Sequence, residues 1–199
     1  MHQIFHPMTA ALNRYTVTTD TYHRMIEVGI LTKNDRVELI RGEIINKSAR
    51  STLHTGTVDR ISNLLPGLVK DHAIIRVQGP VTIPDHSEPE PDITLLKPRP
   101  DFYATKYAQP ADTLLVVEVA DTSWPIDYEI KRPLYASVGI PELWLVNLDK
   151  YEIEVHRTPG RDTYKNISIL QSGDTVRVPV PGVEMMIEVD KLLGEPPER

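Results

Sequence analysis

Cysteine is absent from the 199 residues. A disulfide framework, a thiolate metal site and a cysteine nucleophile are therefore excluded. No apolar run approaches the roughly 18 residues that a membrane-spanning helix needs. The opening MHQIFHPM has no basic stretch followed by an apolar one, so no signal peptide is expected and the chain reads as cytoplasmic. Internal repeats and low-complexity tracts are missing, and the 17 prolines are spread through the connections. Positive charge is also scarce: 22 Lys and Arg face 28 Asp and Glu, a net charge of −6. That balance argues against a passive nucleic-acid binder, which usually presents a basic face. It leaves open an enzyme whose acids hold cations, because bound cations reverse the local charge.

What is present suits one globular domain with a sizeable core. Hydrophobic residues make up 40% and charged residues 25%, and the length leaves no room for two ordinary domains. The expected division is an N-terminal arm over 1–14, a single domain over 15–193 and a tail over 194–199. A short helix is expected from an N-cap at Thr19 or Asp20 to Val28, stopped by Gly29. VELIRGEII reads as a β-hairpin with Arg41-Gly42 as its two-residue turn. That register pairs Ile40 with Glu43 and Glu38 with Ile45. Residues 54–70 carry Val58, Ile61, Leu64, Leu65, Leu68 and Val69 at helical spacing, with Pro66 kinking or ending the helix. AIIRVQ, VTIP and DITLL read as extended, and 97–111 as a loop. TLLVVEVA reads as a strand buried on both faces. A helix is expected over 127–138, ending at Gly139. ELWLVNL, YEIEVHR, YKNISIL and TVRVPV complete a strand-rich second half. The pattern is a mixed α/β fold with a central sheet.

The chemistry rests on two acids. Asp92 follows Pro91 in EPEPDITLL, and Glu118 lies inside TLLVVEVA, 26 residues later. A carboxylate in a dry strand must find a partner, a proton or a metal. A structural salt bridge would serve Glu118 as well, since ion-pair networks also bury acids. A second acid favours Mg²⁺, which takes one or two carboxylates and keeps several waters. Such an ion activates water and stabilises charge on a phosphate, and a lysine adds positive charge there. Lys131 is the candidate, four residues after Asp127 and beside the apolar stripe of Ile130, Leu134 and Val138. Taken alone, that spacing fits a surface Asp–Lys pair equally well.

The order ELIRGEII, His54 opening a helix, EPEPDITLL, then LLVVEVADTSWPIDYEIKRPLYASVGIPELWLVNL closely resembles the Uma-two family of restriction endonuclease domains. That family was once catalogued only as a domain of unknown function and lies within the PD-(D/E)XK nuclease superfamily. The match runs from about residue 15 to Leu193, and VPVPGVEMMIEVDKLL resembles the family's usual ending. The resemblance implies a restriction-endonuclease-like core, a central mixed β-sheet flanked by helices, with an added N-terminal helix and hairpin. It implies Pro91-Asp92 as the PD element and Glu118 as the acid of the (D/E)XK element. Ala120 stands at that element's lysine position, and Lys131, on the following helix, occupies the place from which the family usually supplies it. Glu43 matches the glutamate after the hairpin glycine and is implied as a third acid near the metal. Glu38 and His54 are weaker candidates. The sequence departs from the family at Asp121–Pro125 and at Pro133, where a helix is expected to start near Lys131 or kink.

The expected protein is therefore a Mg²⁺- or Mn²⁺-dependent endonuclease acting on DNA. Asp92, Glu118 and Lys131 form its centre, with Asp92, Glu118 and Glu43 toward the metal. Cutting a duplex needs two centres, which favours a homodimer. Two rivals remain: a catalytically degenerate member used to bind nucleic acid or protein, and a metal-free two-carboxylate hydrolase such as a glycosidase. Trp144 is expected in the core, and Trp124 to pack over a strand end rather than stack on a base. Arg36, Arg41, Arg50 and Arg60 read as surface residues able to meet phosphates. Glu88 and Glu90 read as a solvated loop.

Overall fold

The computed structural model describes residues 14–32 and 34–196. The expected arm lies outside the described residues except for Arg14, as do residues 197–199 of the expected tail. Six strands form the central sheet: β3 (Ile74–Val77), β4 (Ile93–Leu96), β5 (Thr113–Ala120), β6 (Glu142–Asn147), β7 (Glu152–Pro159) and β8 (Tyr164–Leu170). They lie side by side in chain order. Only β5 and β6 run parallel. A parallel pair needs a crossover, supplied by a helical passage over 124–137. The sheet is thus mixed and flanked by helices, as the sequence implies. β5 is buried at all eight positions, as a near-continuous apolar run requires.

The two faces carry separate cores. Val117, Val119, Trp144, Val146, Ile153 and Val155 pack on one side with Val58, Ile61 and Leu65 of α2 (Thr52–Leu64) and its exit. Val116, Leu143 and Leu145 pack on the other with Tyr135, Ala136 and Ile140. Pro66 ends α2 as expected, and a short α3 (Pro66–Val69) follows. Trp144 is fully buried. Among the described residues no helix is long and apolar enough to cross a membrane.

At the N-terminal side, α1 spans Thr19–Glu27, and its N-cap is Thr18, whose side chain accepts from the Thr21 N–H at 3.1 Å. The cap is thus one residue earlier than expected, and Gly29 does follow the helix with φ +77°. The hairpin β1 (Val37–Ile40) and β2 (Glu43–Asn46) adopts the expected register, with Glu38 opposite Ile45 and Ile40 opposite Glu43. Arg41 and Gly42 have φ of 50° and 79°, the mirror-image turn that tight hairpins favour. A side chain at Gly42 would meet Thr16 Cβ at 2.9 Å, so the turn also requires a glycine for space.

Three expectations are corrected. VTIP is not a strand: Val81 and Ile83 make only isolated bridges, to Ala108 and Ser87. Pro80 precedes it and Pro84 is its last residue, and proline cannot donate to a ladder. TVRVPV pairs only over β9 (Thr175–Arg177), against β10 (Met186–Glu188), before Pro179 and Pro181 interrupt it; α6 (Val189–Leu193) then closes the chain. The helix expected over 127–138 starts earlier and is irregular. It begins with α4 (Trp124–Ile126), widens to a π-helical turn over Asp127–Lys131 and ends as α5 (Arg132–Ser137) before Gly139. The wide turn resolves the problem set by Pro133. Proline's ring collides with the carbonyl four residues back in a regular helix, and an inserted residue relieves such a clash.

Candidate active site

Five segments, the hairpin, α2, the start of β4, β5 and the π turn, converge at one end of β4 and β5. Ile93 pairs with Val117 across the two strands, so the next step outward brings Asp92 alongside Glu118. Asp92 is anchored by its own Oδ2, which accepts the Val119 N–H at 2.9 Å and lies 3.1 Å from His54 Nε2. Glu118 Oε1 accepts the Tyr135 hydroxyl at 2.6 Å. Lys131, on the π turn, places Nζ 3.0 Å from Glu38 Oε1, 3.4 Å from Glu118 Oε1 and 3.4 Å from Asp127 Oδ1. The hairpin contributes Glu38, whose Oε2 accepts the Glu90 N–H at 3.1 Å. Glu38, Asp92, Glu118, Asp127 and Lys131 are all buried. All five still line one groove, together with His54, Arg36 and Arg50.

Electrostatics follow from one ammonium shared among several acids. Burial pushes the Glu118 carboxyl well above its usual range, and Lys131 only partly offsets this. Asp127 is raised by burial too, against the pull of Lys131 and a hydrogen bond from Ser123. Burial alone would lower the Lys131 pKa, but Glu118, Glu38 and Asp127 outweigh it and hold the ammonium well above its ordinary value. Tyr135 is pushed up by burial and by the same carboxylates, so it remains a donor. The cluster has more acidic than basic groups, and a further cation would draw the raised carboxyls back toward their charged form.

The donor set suits a hard cation. Among the described residues, hydrogen bonds reach Asp92 through Oδ2 and Glu118 through Oε1, which leaves one carboxylate oxygen on each acid without a protein donor. Two carboxylates completed by water match what Mg²⁺ usually takes. Among the described residues, no group of three or more His, Asp or Glu is spaced to hold a metal unaided. The site therefore fits a cation held by two acids and water, not a cage built of protein ligands.

Asp92, Glu118 and Lys131 are brought together as the sequence suggests. Glu43 is not. Its carboxylate is exposed and pairs with Arg14 at 2.9 Å, because its position opposite Ile40 lies at the turn end of the hairpin. Glu38, two residues before Ile40 on the same strand, reaches the cluster instead. His54, a weaker candidate in the sequence, is buried against Asp92. Its place was legible, since His54, Val58, Ile61 and Leu65 follow helical spacing along one stripe. Tyr135 was missed, although Asp127, Lys131 and Tyr135 recur every four residues. Glu88 and Glu90 are not a solvated loop. Glu88 is buried against His23 at 2.8 Å and Thr82 at 2.6 Å, and Glu90 borders the groove in an ion pair with Lys47. Trp124 packs as expected, with its ring stacked on Tyr128 at 5.2 Å.

Comparison with known proteins agrees with this architecture. A crystal structure from Anabaena variabilis ATCC 29413, described as "a putative nuclease belonging to DUF820", superposes with a TM-score of 0.66. The match covers 89% of this chain and 97% of that one at 19% identity, a likeness of fold. No curated protein matches. The family described as "Uma2: Putative restriction endonuclease" matches residues 19–189, which include every residue of the buried cluster. With its six-stranded mixed sheet and that match over most of its length, the chain belongs to the Uma2 family.

Proposed function

We propose that the chain is a Mg²⁺- or Mn²⁺-dependent endonuclease that hydrolyses phosphodiester bonds of DNA, its centre built from Asp92, Glu118 and Lys131 on a single domain over 15–193. The observation that carries this reading is the placement of Asp92 beside Glu118, each with an oxygen left open, next to a buried lysine. A divalent ion held by the two acids would supply positive charge against the phosphoryl oxygens and make water more acidic.

The chain's own residues do the rest. Val119 N–H and His54 hold one oxygen of Asp92 and so orient the other. Tyr135 does the same for Glu118. Lys131 keeps its proton and offsets negative charge that builds on the phosphorus centre. Glu38 and Asp127 hold the ammonium in place until a phosphate competes for it. Because a duplex has two strands, the reading includes a homodimer with two such centres.

The test is cleavage of supercoiled plasmid with Mg²⁺ or Mn²⁺, using wild type, Asp92→Asn and Glu118→Gln. Nicking or linearisation by the wild type is expected, stopped by a chelator and lost in both variants. A folded wild type that leaves plasmid intact under all these conditions, yet retains DNA, would favour a binding module on a nuclease fold.

A further inference from the structure

Arg36 and Arg50 border the acidic groove. They also border a second depression, lined by Tyr22, Ile26 and Leu31, which shares Arg36, Lys47, Arg50 and Glu90 with the first. The two depressions therefore form one path that passes over a strip of three cations.

One cation of this strip is paired with an acid and two are not. Lys47 is engaged by Glu90, Lys131 by three acids, Arg157 by Glu142 and Arg177 by Glu184. Among the described residues, Arg36 and Arg50 have no carboxylate within ion-pair distance, although four buried acids line the same groove. Arg36 is also held in an unusual backbone state, with φ +40°. Its carbonyl accepts the Lys47 N–H at 2.9 Å, and one guanidinium nitrogen donates to the Ser48 carbonyl at 3.0 Å. A strained residue persists only where its surroundings fix it, and here the fixing leaves the rest of the guanidinium fork open. An open fork is the group that grips a phosphate in two-point fashion.

We infer that Arg36 and Arg50 form a phosphate subsite for the DNA strand next to the bond that is cut, and that the strand continues into the second depression. Arg41 and Arg60 border neither depression and take no part. This rests on the nuclease reading but assigns a binding step separate from the acids.

Binding of a fluorescein-labelled DNA duplex to the Asp92→Asn chain, followed by anisotropy over a range of salt, tests it. Both arginines are exposed, so their variants are expected to melt like the parent. Arg36→Gln and Arg50→Gln should each weaken binding and reduce the slope of log K against log salt by about one unit. Arg36→Lys and Arg50→Lys should restore most of that slope, while Arg41→Gln and Arg60→Gln should match the parent. A parent that binds DNA with an unchanged slope in Arg36→Gln and Arg50→Gln overturns this inference and leaves the nuclease reading standing. A folded parent that binds no duplex at any salt overturns both.

Discussion

Two polar clusters lie on the same sheet. The first joins Glu38, Asp92, Glu118, Asp127, His54 and Lys131 from the hairpin, α2, the start of β4, β5 and the π turn. The second joins Glu152, Glu154 and His156 on the single strand β7, where His156 Nε2 lies 3.1 Å from Glu154 Oε2. His156 is fully buried between the edges of Tyr128 and Tyr164, with ring centroids at 6.4 and 5.8 Å. In sequence, YEIEVHR offers two acids and a histidine, a richer signal than the lone glutamate of TLLVVEVA. In space, the β7 residues form a closed pair walled by aromatic rings. The β5 acid instead opens on a groove where separate elements deliver complementary groups. Burial of acids therefore does not mark the site. Convergence from several elements onto an open groove does.

The two clusters should differ most in their effect on cleavage. Asp92→Asn and Glu118→Gln should abolish plasmid cleavage, whereas Glu154→Gln should cleave at nearly the wild-type rate. Loss of cleavage in a well-folded Glu154→Gln would erase the distinction. A second effect is on stability. Lys131→Met removes the ammonium and leaves Glu38, Glu118 and Asp127 facing one another, a change that costs roughly 3–5 kcal/mol when a buried ion pair is broken. Urea unfolding should show that loss, with partial recovery in Lys131→Met combined with Glu38→Gln.

The third effect belongs to β7. Burial, and then the charge of Arg132, holds the His156 pKa down at about 4, against an ordinary 6.5. Between those values the unfolded chain binds a proton that the folded chain refuses. Stability from this group is thus complete above about pH 6.5 and falls as pH drops toward 4, by roughly 3 kcal/mol in all. Burial raises Glu154, which acts in the opposite sense, so the effect is read as a difference. Chemical unfolding of wild type and His156→Gln across this window should converge as pH falls. Parallel curves would show that His156 titrates normally.

How much of this was legible in the sequence depended on the range of the interactions. The hairpin register was legible because a two-residue turn fixes every pair after it. Asp92 and Glu118 were legible because strand runs on both sides of a connecting segment place them on neighbouring strands. The choice of Glu38 over Glu43 was not. Both share the same face, and only the docking of the hairpin decides which end enters the sheet. The π turn was hidden for a different reason. Helical spacing assumes a constant period, and the inserted residue breaks it, with Pro133 as the only local sign. Glu88 looked solvated because its partners, His23 and Thr82, come from α1 and from a segment whose bridges are isolated.

The most direct test of the central claim is titration calorimetry of Mg²⁺ and Mn²⁺ into wild type, Asp92→Asn and Glu118→Gln, with melting curves to establish that each is folded. Wild type should bind the ions saturably, and either substitution should abolish that binding. Undiminished binding in both variants, or none in a folded wild type with and without DNA, would contradict a centre built on these two acids.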